Sequence, residues 1–324
     1  MDDILVVKNL KKYYPIPGGA VKAVDGVSFS VARGTAMGLV GESGCGKSTT
    51  GRMVLRLGGE KTAGEVLFKG QDIYKLSPGQ LRRLRPKMQI IFQDPFSSLS
   101  PRMPVGELLS EAVREHKLVP KGELSAYIDS VMESCGLQKF HKDRYPHEFS
   151  GGQRQRISIA RALALQPEFI VCDEPVSALD VSVQAQIVNL LREKQRQMQL
   201  TYLFISHDLS VVEHITDTVG VMYLGVLVEY APTEELYKHP LHPYTKALLS
   251  AIPVPDPGKK MERTVLRGSP PSPASPPSGC RFHPRCPVAM NVCPRETPPW
   301  LELAPGHFCA CHYAAAQKRQ KNNA

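Results

Sequence analysis

The sequence predicts an α/β protein: a mostly parallel sheet with flanking helices, a helical insertion, and a proline- and cysteine-rich extension. Three observations carry this. Strands alternate with helices on both sides of the middle of the chain, as mostly parallel sheets require. From about residue 94 to 166 the apolar spacing is helical, as in "VGELLSEAVREHKL" and "ELSAYIDSVMESCGL", with little strand character. After about Pro240 prolines accumulate, and five of the eight cysteines follow within the last forty-five residues.

In order, "ILVVKNLKKYY" and "AVKAVDGVSFSVARG" read as strands joined by the turn "PIPGG", and "TAGEVLFKGQDIY" as a hairpin. Between them, "TAMGLVGESGCGKSTTGRMVLRL" is an apolar strand, a glycine-rich loop and a helix. Alternation resumes with the strand "EFIVCDEP", the helix "SVQAQIVNLLREKQRQM", the strand "TYLFISHDL", a further helix, and "VGVMYLGVLVEY" as a strand. "IPVPDPGKK" and "SPPSPASPPSG" read as extended segments leading to the cysteines. No internal repeat is present, so each motif occurs once in the chain.

Composition bounds the function. The apolar share of 42% and charged share of 22% suit a globular protein, and no run of eighteen apolar residues crosses a membrane. "MDDILVVKNL" is acidic and strand-like, unlike a signal peptide, so the expected site is the cytosol. The net charge of +9 is spread along the chain without a nucleic-acid motif. It fits a solvated surface beside an anionic membrane better than nucleic-acid binding.

"GESGCGKS", Gly41 to Ser48, fits the phosphate-loop pattern between a strand and a helix. Gly41, Ser43, Gly44, Cys45 and Gly46 shape a loop whose backbone N–H groups face the phosphates at a helix N-terminus, with Thr49 just beyond. Lys47 supplies a point charge and Ser48 a hydroxyl for Mg²⁺. "FIVCDE" ends a buried strand with Asp173 and Glu174 at the edge where α/β sheets bind ligands. Asp173 is expected to hold Mg²⁺ through water, and Glu174 to polarise the attacking water. "FSGGQRQR" presents Ser150, Gly151, Gly152 and Gln153 as a second anion-binding helix start. One chain has no second phosphate to offer it, so its expected target is ATP held by another subunit.

At these residues the sequence resembles the ABC ATPases, whose signature is close to "LSGGQ"; here Phe149 replaces the leucine. The resemblance covers residues 1 to about 235. It implies a nucleotide core with an antiparallel β subdomain and a helical subdomain, two such units sandwiching two ATP molecules head to tail. "IIFQDP" supplies Gln93, which would touch Mg²⁺ and the water and relay contact to a membrane partner. "SALD" supplies the D-loop Asp180. "ISHDL" supplies His207, bridging the γ-phosphate and the opposite D-loop. Tyr14 matches the aromatic that stacks on adenine, with Tyr13 as the alternative.

"QDPFSSLSPRMPVGE" and "HPLHPYTKALLSAIPVPDP" look like the ATPase subunits of dipeptide and oligopeptide importers, and "EPVSALDVSVQAQIVNLL" like the second of their two ATPases. "HPLHPY" itself reads as a proline-bounded linker without chemistry. The resemblance implies a peripheral enzyme on the cytoplasmic face of the membrane. Its partners would be a homologous ATPase, two permeases and an extracytoplasmic peptide-binding protein, with no nucleic acid. Nickel or another small solute is the alternative cargo; a soluble ABC protein of ribosomes or DNA, or a metal-dependent regulator, are the alternative classes. The expected division is a nucleotide-binding domain at 1–235, with its helical subdomain at about 94–166, and an extension at 236–324.

The cysteines are spaced C-x5-C-x6-C, then C-x15-C or C-x17-C. Structural zinc draws on C-x₂₋₄-C pairs, which are missing here, whereas uneven spacing suits a [4Fe–4S] cluster. The family's tail adds weight to the cluster. Cys280, Cys286 and Cys293 are the expected ligands, with Cys311 matching the family's last cysteine better than Cys309. Zinc is the alternative. Phosphoryl transfer needs no electrons, so the metal is expected to staple a segment that lacks a core of its own.

Overall fold

The computed structural model describes residues 2–252, 264, 266 and 268–322. "IPVPDPGKK", expected to be extended, lies almost wholly outside the described residues. In chain order the strands are β1 (Asp3–Ile16), β2 (Gly19–Ala32), β3 (Ala36–Val40), β4 (Ala63–Phe68), β5 (Gln71–Asp72), β6 (Met88–Ile91), β7 (Phe169–Asp173), β8 (Thr201–Ser206), β9 (Thr218–Tyr223), β10 (Val226–Pro232), β11 (Leu301–Ala304) and β12 (His307–Cys309). The helices are α1 (Lys47–Val54), α2 (Pro78–Leu84), α3 (Pro95–Ser98), α4 (Val105–Glu115), α5 (Leu124–Ser134), α6 (Gly151–Leu163), α7 (Val181–Met198), α8 (Leu209–Ile215), α9 (Thr233–Lys238), α10 (Pro243–Ser250) and α11 (His312–Asn322).

The chain folds as two compact units, each assembled from separated segments. One comprises Leu5–Ser30, Ala36–Gln71 and Ser206–Ala324; the other comprises Met1–Ile4, Val31–Thr35 and Asp72–Ile205. The second unit pairs β6, β7 and β8 in parallel, with Ile91 beside Cys172 and Asp173 beside Ile205. Strands β7 and β8 are buried at every position, as parallel strands covered on both faces are. The same unit carries the expected helical insertion as α3 to α6. Helix α4 buries Val105, Leu108, Leu109 and Val113, a helical stripe, while Glu107 and Arg114 form an ion pair on its outer side.

In the first unit β1 and β4 pair antiparallel, with Leu5 opposite Phe68, in a sheet ordered β2-β1-β4-β5. A further sheet segment runs β11-β12-β10-β9-β3, in which only the β3–β9 pairing is parallel. Mixed strands with flanking helices match the expectation, with two corrections. "VGVMYLGVLVEY" is a hairpin rather than one strand. Leu224 and Gly225 both have positive φ, 43° and 81°, the turn whose twist suits two antiparallel strands. A Cβ on Gly225 would also stand 2.6 Å from the Lys22 carbonyl oxygen.

The second correction concerns the tail, which is part of this unit. Strand β12 pairs with β10, placing Glu229 opposite Cys309. Cys309, Cys311 and Ala314 form a small core with Leu241, Leu303 and Tyr313. Phe282 is fully buried, its ring 5.3 Å from Tyr223, 5.4 Å from Tyr244 and 5.5 Å from His242. Three- and four-residue strands are too short for their alternation to show in the sequence.

"HPLHPY" is no passive linker either. The buried Glu229 carboxylate accepts the N–H groups of Leu241 (2.6 Å) and His242 (3.0 Å), and its Oε1 lies 2.7 Å from His307 Nε2. His242 caps α10 by accepting the Tyr244 N–H on Nδ1. Burial drives the His242 pKa down to about 4, against the opposing pull of Glu229. An unfolded histidine titrates near 6.5, so the unfolded chain takes up this proton first. Stability from this site is therefore complete above about pH 6.5 and fades toward pH 4, at about 1.4 kcal/mol per pH unit. Urea unfolding at pH 7.5 and 5.5 should show this fall. His242→Asn, which keeps an acceptor for the helix, should flatten it; an equal fall in both proteins would contradict the assignment.

Candidate nucleotide site

The phosphate loop joins β3 to α1 in the first unit. Gly46, which precedes α1, has φ 108°, and a Cβ there would meet the Ala23 carbonyl oxygen at 2.1 Å. No other residue allows this close approach. Lys47 is buried, its ammonium donating to the carbonyls of Gly41 (2.8 Å) and Glu42 (3.1 Å). Cys45 is buried, and desolvation raises its pKa. Ser43 and Gly44 are exposed, while Ser48 and Thr49 are partly so.

Two aromatic candidates on β1 separate cleanly. The Tyr13 hydroxyl donates to Asp25, and burial together with that bond raises its pKa to about 12. Tyr14 keeps an exposed ring, with the Lys12 ammonium 5.0 Å from its centroid. Tyr14 is thus the more exposed of the two rings. His207 belongs to this unit as well. It is exposed just after β8, beside Asp208, whose carboxylate caps α8 through the Ser210 N–H at 2.9 Å.

The second unit carries the other expected residues. Asp173 closes β7 and is buried. Glu174 follows with φ 48°, a left-handed conformation that turns the chain at the strand end. Its N–H donates to the Ile205 carbonyl at 3.0 Å, and the Gln93 amide donates to its carboxylate at 2.9 Å. Gln93 and Glu174, eighty-one positions apart, are therefore one hydrogen-bonded pair. Ser150 caps α6: its hydroxyl accepts the Gln153 N–H at 3.3 Å, while the Gln153 amide oxygen accepts the Ser150 N–H at 3.0 Å. The Gly151 and Gly152 backbone opens this helix, where the dipole favours an anion. Asp180 is the exposed N-cap residue of α7.

The tail cysteines are free thiols in the first unit. Burial raises the pKa of Cys280 to about 11 and also raises that of Cys286, each further opposed to ionisation by neighbouring thiols. The last two cysteines behave oppositely. A thiol–thiol hydrogen bond from Cys309, aided by N–H groups at the start of α11, draws Cys311 down to about 6 and holds Cys309 protonated. Among the described residues no group of three or more His, Cys, Asp or Glu side chains is placed to hold a metal ion.

Sequence reading missed three residues at the loop. Glu42, between Gly41 and Ser43, binds Arg285 of the tail through both carboxylate oxygens, at 2.7 and 3.0 Å. Its N–H donates to the Tyr244 hydroxyl at 2.8 Å. The pair spans 243 positions, so no local pattern announces it.

Comparison with known proteins agrees with this geometry. Residues 24–177 match the ABC transporter family model, and residues 228–293 match the oligopeptide/dipeptide transporter C-terminal region. The oligopeptide transport ATP-binding protein AppF of Bacillus subtilis is 54% identical over 96% of this chain and 97% of its own length. The chain belongs to the ABC ATPases, in the oligopeptide/dipeptide transporter branch.

OppF of Bacillus subtilis is 52% identical over 96% of each chain. A putative peptide import ATP-binding protein of Brucella ovis is 56% identical over 95% of this chain and 97% of its own. Among solved structures, cbiO1 from Clostridium perfringens, part of the transporter complex cbiONQ, superposes with TM-score 0.66 at 28% identity, covering 74% of this ABC ATPase and 92% of cbiO1. The ATP-binding cassette MJ0796, solved as a dimer with ADP and phosphate, gives TM-score 0.65 at 25% identity, over 71% and 98% of the two chains.

Proposed function

We propose that this chain binds and hydrolyses ATP to power uptake of peptides across the cytoplasmic membrane. The observation that carries this is the pairing of an intact phosphate loop with an oligopeptide/dipeptide transporter tail in one chain. Lys47 and the N–H groups of Gly41 and of Ser43 to Thr49 hold the phosphates, with Gly44, Cys45 and Gly46 shaping the turn. Ser48 and Asp173 hold Mg²⁺, and Tyr14 stacks on the adenine. Glu174 accepts a proton from the attacking water, oriented by its hydrogen bond from Gln93. His207 meets the γ-phosphate. Ser150, Gly151, Gly152 and Gln153, with Asp180, act on the ATP of a second cassette; the dimeric state of MJ0796 supports that arrangement.

In this reading the chain is a peripheral subunit. No helix among the described residues is long and apolar enough to cross a membrane, so the pathway belongs to partner permeases. We infer two permeases, a homologous second ATPase and an extracytoplasmic binding protein; the names of the peptide-transport relatives support this. Residues 1–235 would form the nucleotide-binding part and 236–324 the extension.

For the tail, the reading is a four-iron cluster on Cys280, Cys286, Cys293 and Cys311. The donor set fits in chemistry: Cys280, Cys286, Cys293 and Cys311 are four free thiols within one compact unit. A single tetrahedral zinc would need its sulfurs roughly 3.8 Å apart, given Zn–S bonds of about 2.3 Å. A four-iron cluster holds its thiolates farther apart than one zinc does, and the uneven cysteine spacing is what favours it in this reading. When bound, it would staple the segments around Cys280–Cys293 to the start of α11.

Glu174→Gln keeps the shape and the Gln93 contact but removes the base. Phosphate release should fall at least about 100-fold while ATP binding persists; wild-type turnover would refute the role of Glu174. Anaerobic purification should give about four iron and four sulfide per chain, with brown absorption lost in Cys286→Ser. One zinc and no iron would overturn the cluster and leave the ATPase reading standing.

A further inference from the structure

We propose that Arg285 of the tail is a positioning residue for ATP, neutralising the Glu42 carboxylate within the phosphate loop. The inference deepens the ATPase reading and rests on it. Glu42 puts a carboxylate in a loop that must receive a triphosphate of three to four negative charges. A free carboxylate there would repel the ligand across a few ångströms of half-buried protein, where charge is poorly screened.

The geometry answers that problem. Both terminal nitrogens of Arg285 grip Glu42, Nη1 to Oε2 at 2.7 Å and Nη2 to Oε1 at 3.0 Å. This bidentate fork fixes direction as well as charge. The arginine side chain is only 6% exposed, and the glutamate's is 28%. Arg285 is held from behind. It ends the short helical turn His283–Arg285, its N–H donates to the Phe282 carbonyl at 3.0 Å, and its guanidinium lies 5.9 Å from the centre of the Tyr223 ring. Phe282 in turn is locked between Tyr223 and Tyr244. Tyr244 accepts the Glu42 N–H at 2.8 Å, so the residue's backbone is fixed by α10 while the tail fixes its side chain. The loop's second residue is thereby kept from offering either a competing charge or a free amide to the phosphates.

The test is ATP affinity and steady-state kinetics on the full chain as purified, with urea unfolding as the folding control. Arg285→Ala should weaken ATP binding roughly tenfold and raise KM more than it lowers kcat. The loss should be greater for ATP than for ADP, because repulsion grows with phosphate charge. Arg285→Lys, which keeps a charge without the fork, should fall between. The decisive variant is Glu42→Gln combined with Arg285→Ala, which removes the carboxylate along with its partner and should bring affinity back to within about threefold of wild type. A purely structural role for Arg285 in seating the tail predicts no such rescue. ATP affinity unchanged in Arg285→Ala, or lost equally in the double variant, overturns the proposal. Wild type that binds no ATP would instead overturn the ATPase reading beneath it.

Discussion

Much of the first unit converges on one residue, Glu42. Its carbonyl accepts from Lys47 and from the Cys45 N–H, its N–H donates to Tyr244 of α10, and its carboxylate is clasped by Arg285. A phosphate loop must hold its backbone N–H groups toward a ligand, and with glycine at three of its eight positions it gains little stiffness from its own side chains beyond Lys47. Rigidity has to come from outside. Here it comes from α10 and from a tail more than two hundred residues away in sequence, both anchored on buried aromatic rings.

The same constraint accounts for the tail's construction. A proline-rich segment with little apolar periodicity cannot build an independent core, and the small cluster around Cys309, Cys311 and Ala314 is modest. The segment gains stability instead by extending the β9–β10 hairpin with β12 and by burying Phe282. Glu229 shows how tightly this is tied: one carboxylate satisfies the entry to α10 and meets His307 from β12. A buried acid with that many hydrogen bonds costs little, whereas one missing partner would leave it exposed to the full desolvation penalty.

Legibility in the sequence followed physical range. The phosphate loop, the acidic end of β7, the capped start of α6 and the helical insertion were all readable, because each is a local pattern of glycine, alternation or helical spacing. The β9–β10 turn was missed since its signal is only Leu224–Gly225 inside an apolar run, indistinguishable by periodicity from one long strand. The docking of β11 and β12, the capping role of His242, and the Glu42–Arg285 pair were missed because each depends on a partner distant in the chain. Tyr14 was preferred to Tyr13 from register alone, and the sequence held no sign that the Tyr13 hydroxyl bonds Asp25 while the Tyr14 ring is the more exposed.

Calorimetric titration of the chain with Mg-ATP bears most directly on the account. One nucleotide should bind per chain, with binding abolished in Lys47→Ala while that variant unfolds in urea as wild type does. A well-folded wild-type chain that takes up no ATP, or a Lys47→Ala chain that binds it unchanged, would contradict the assignment of this loop as the seat of the protein's chemistry.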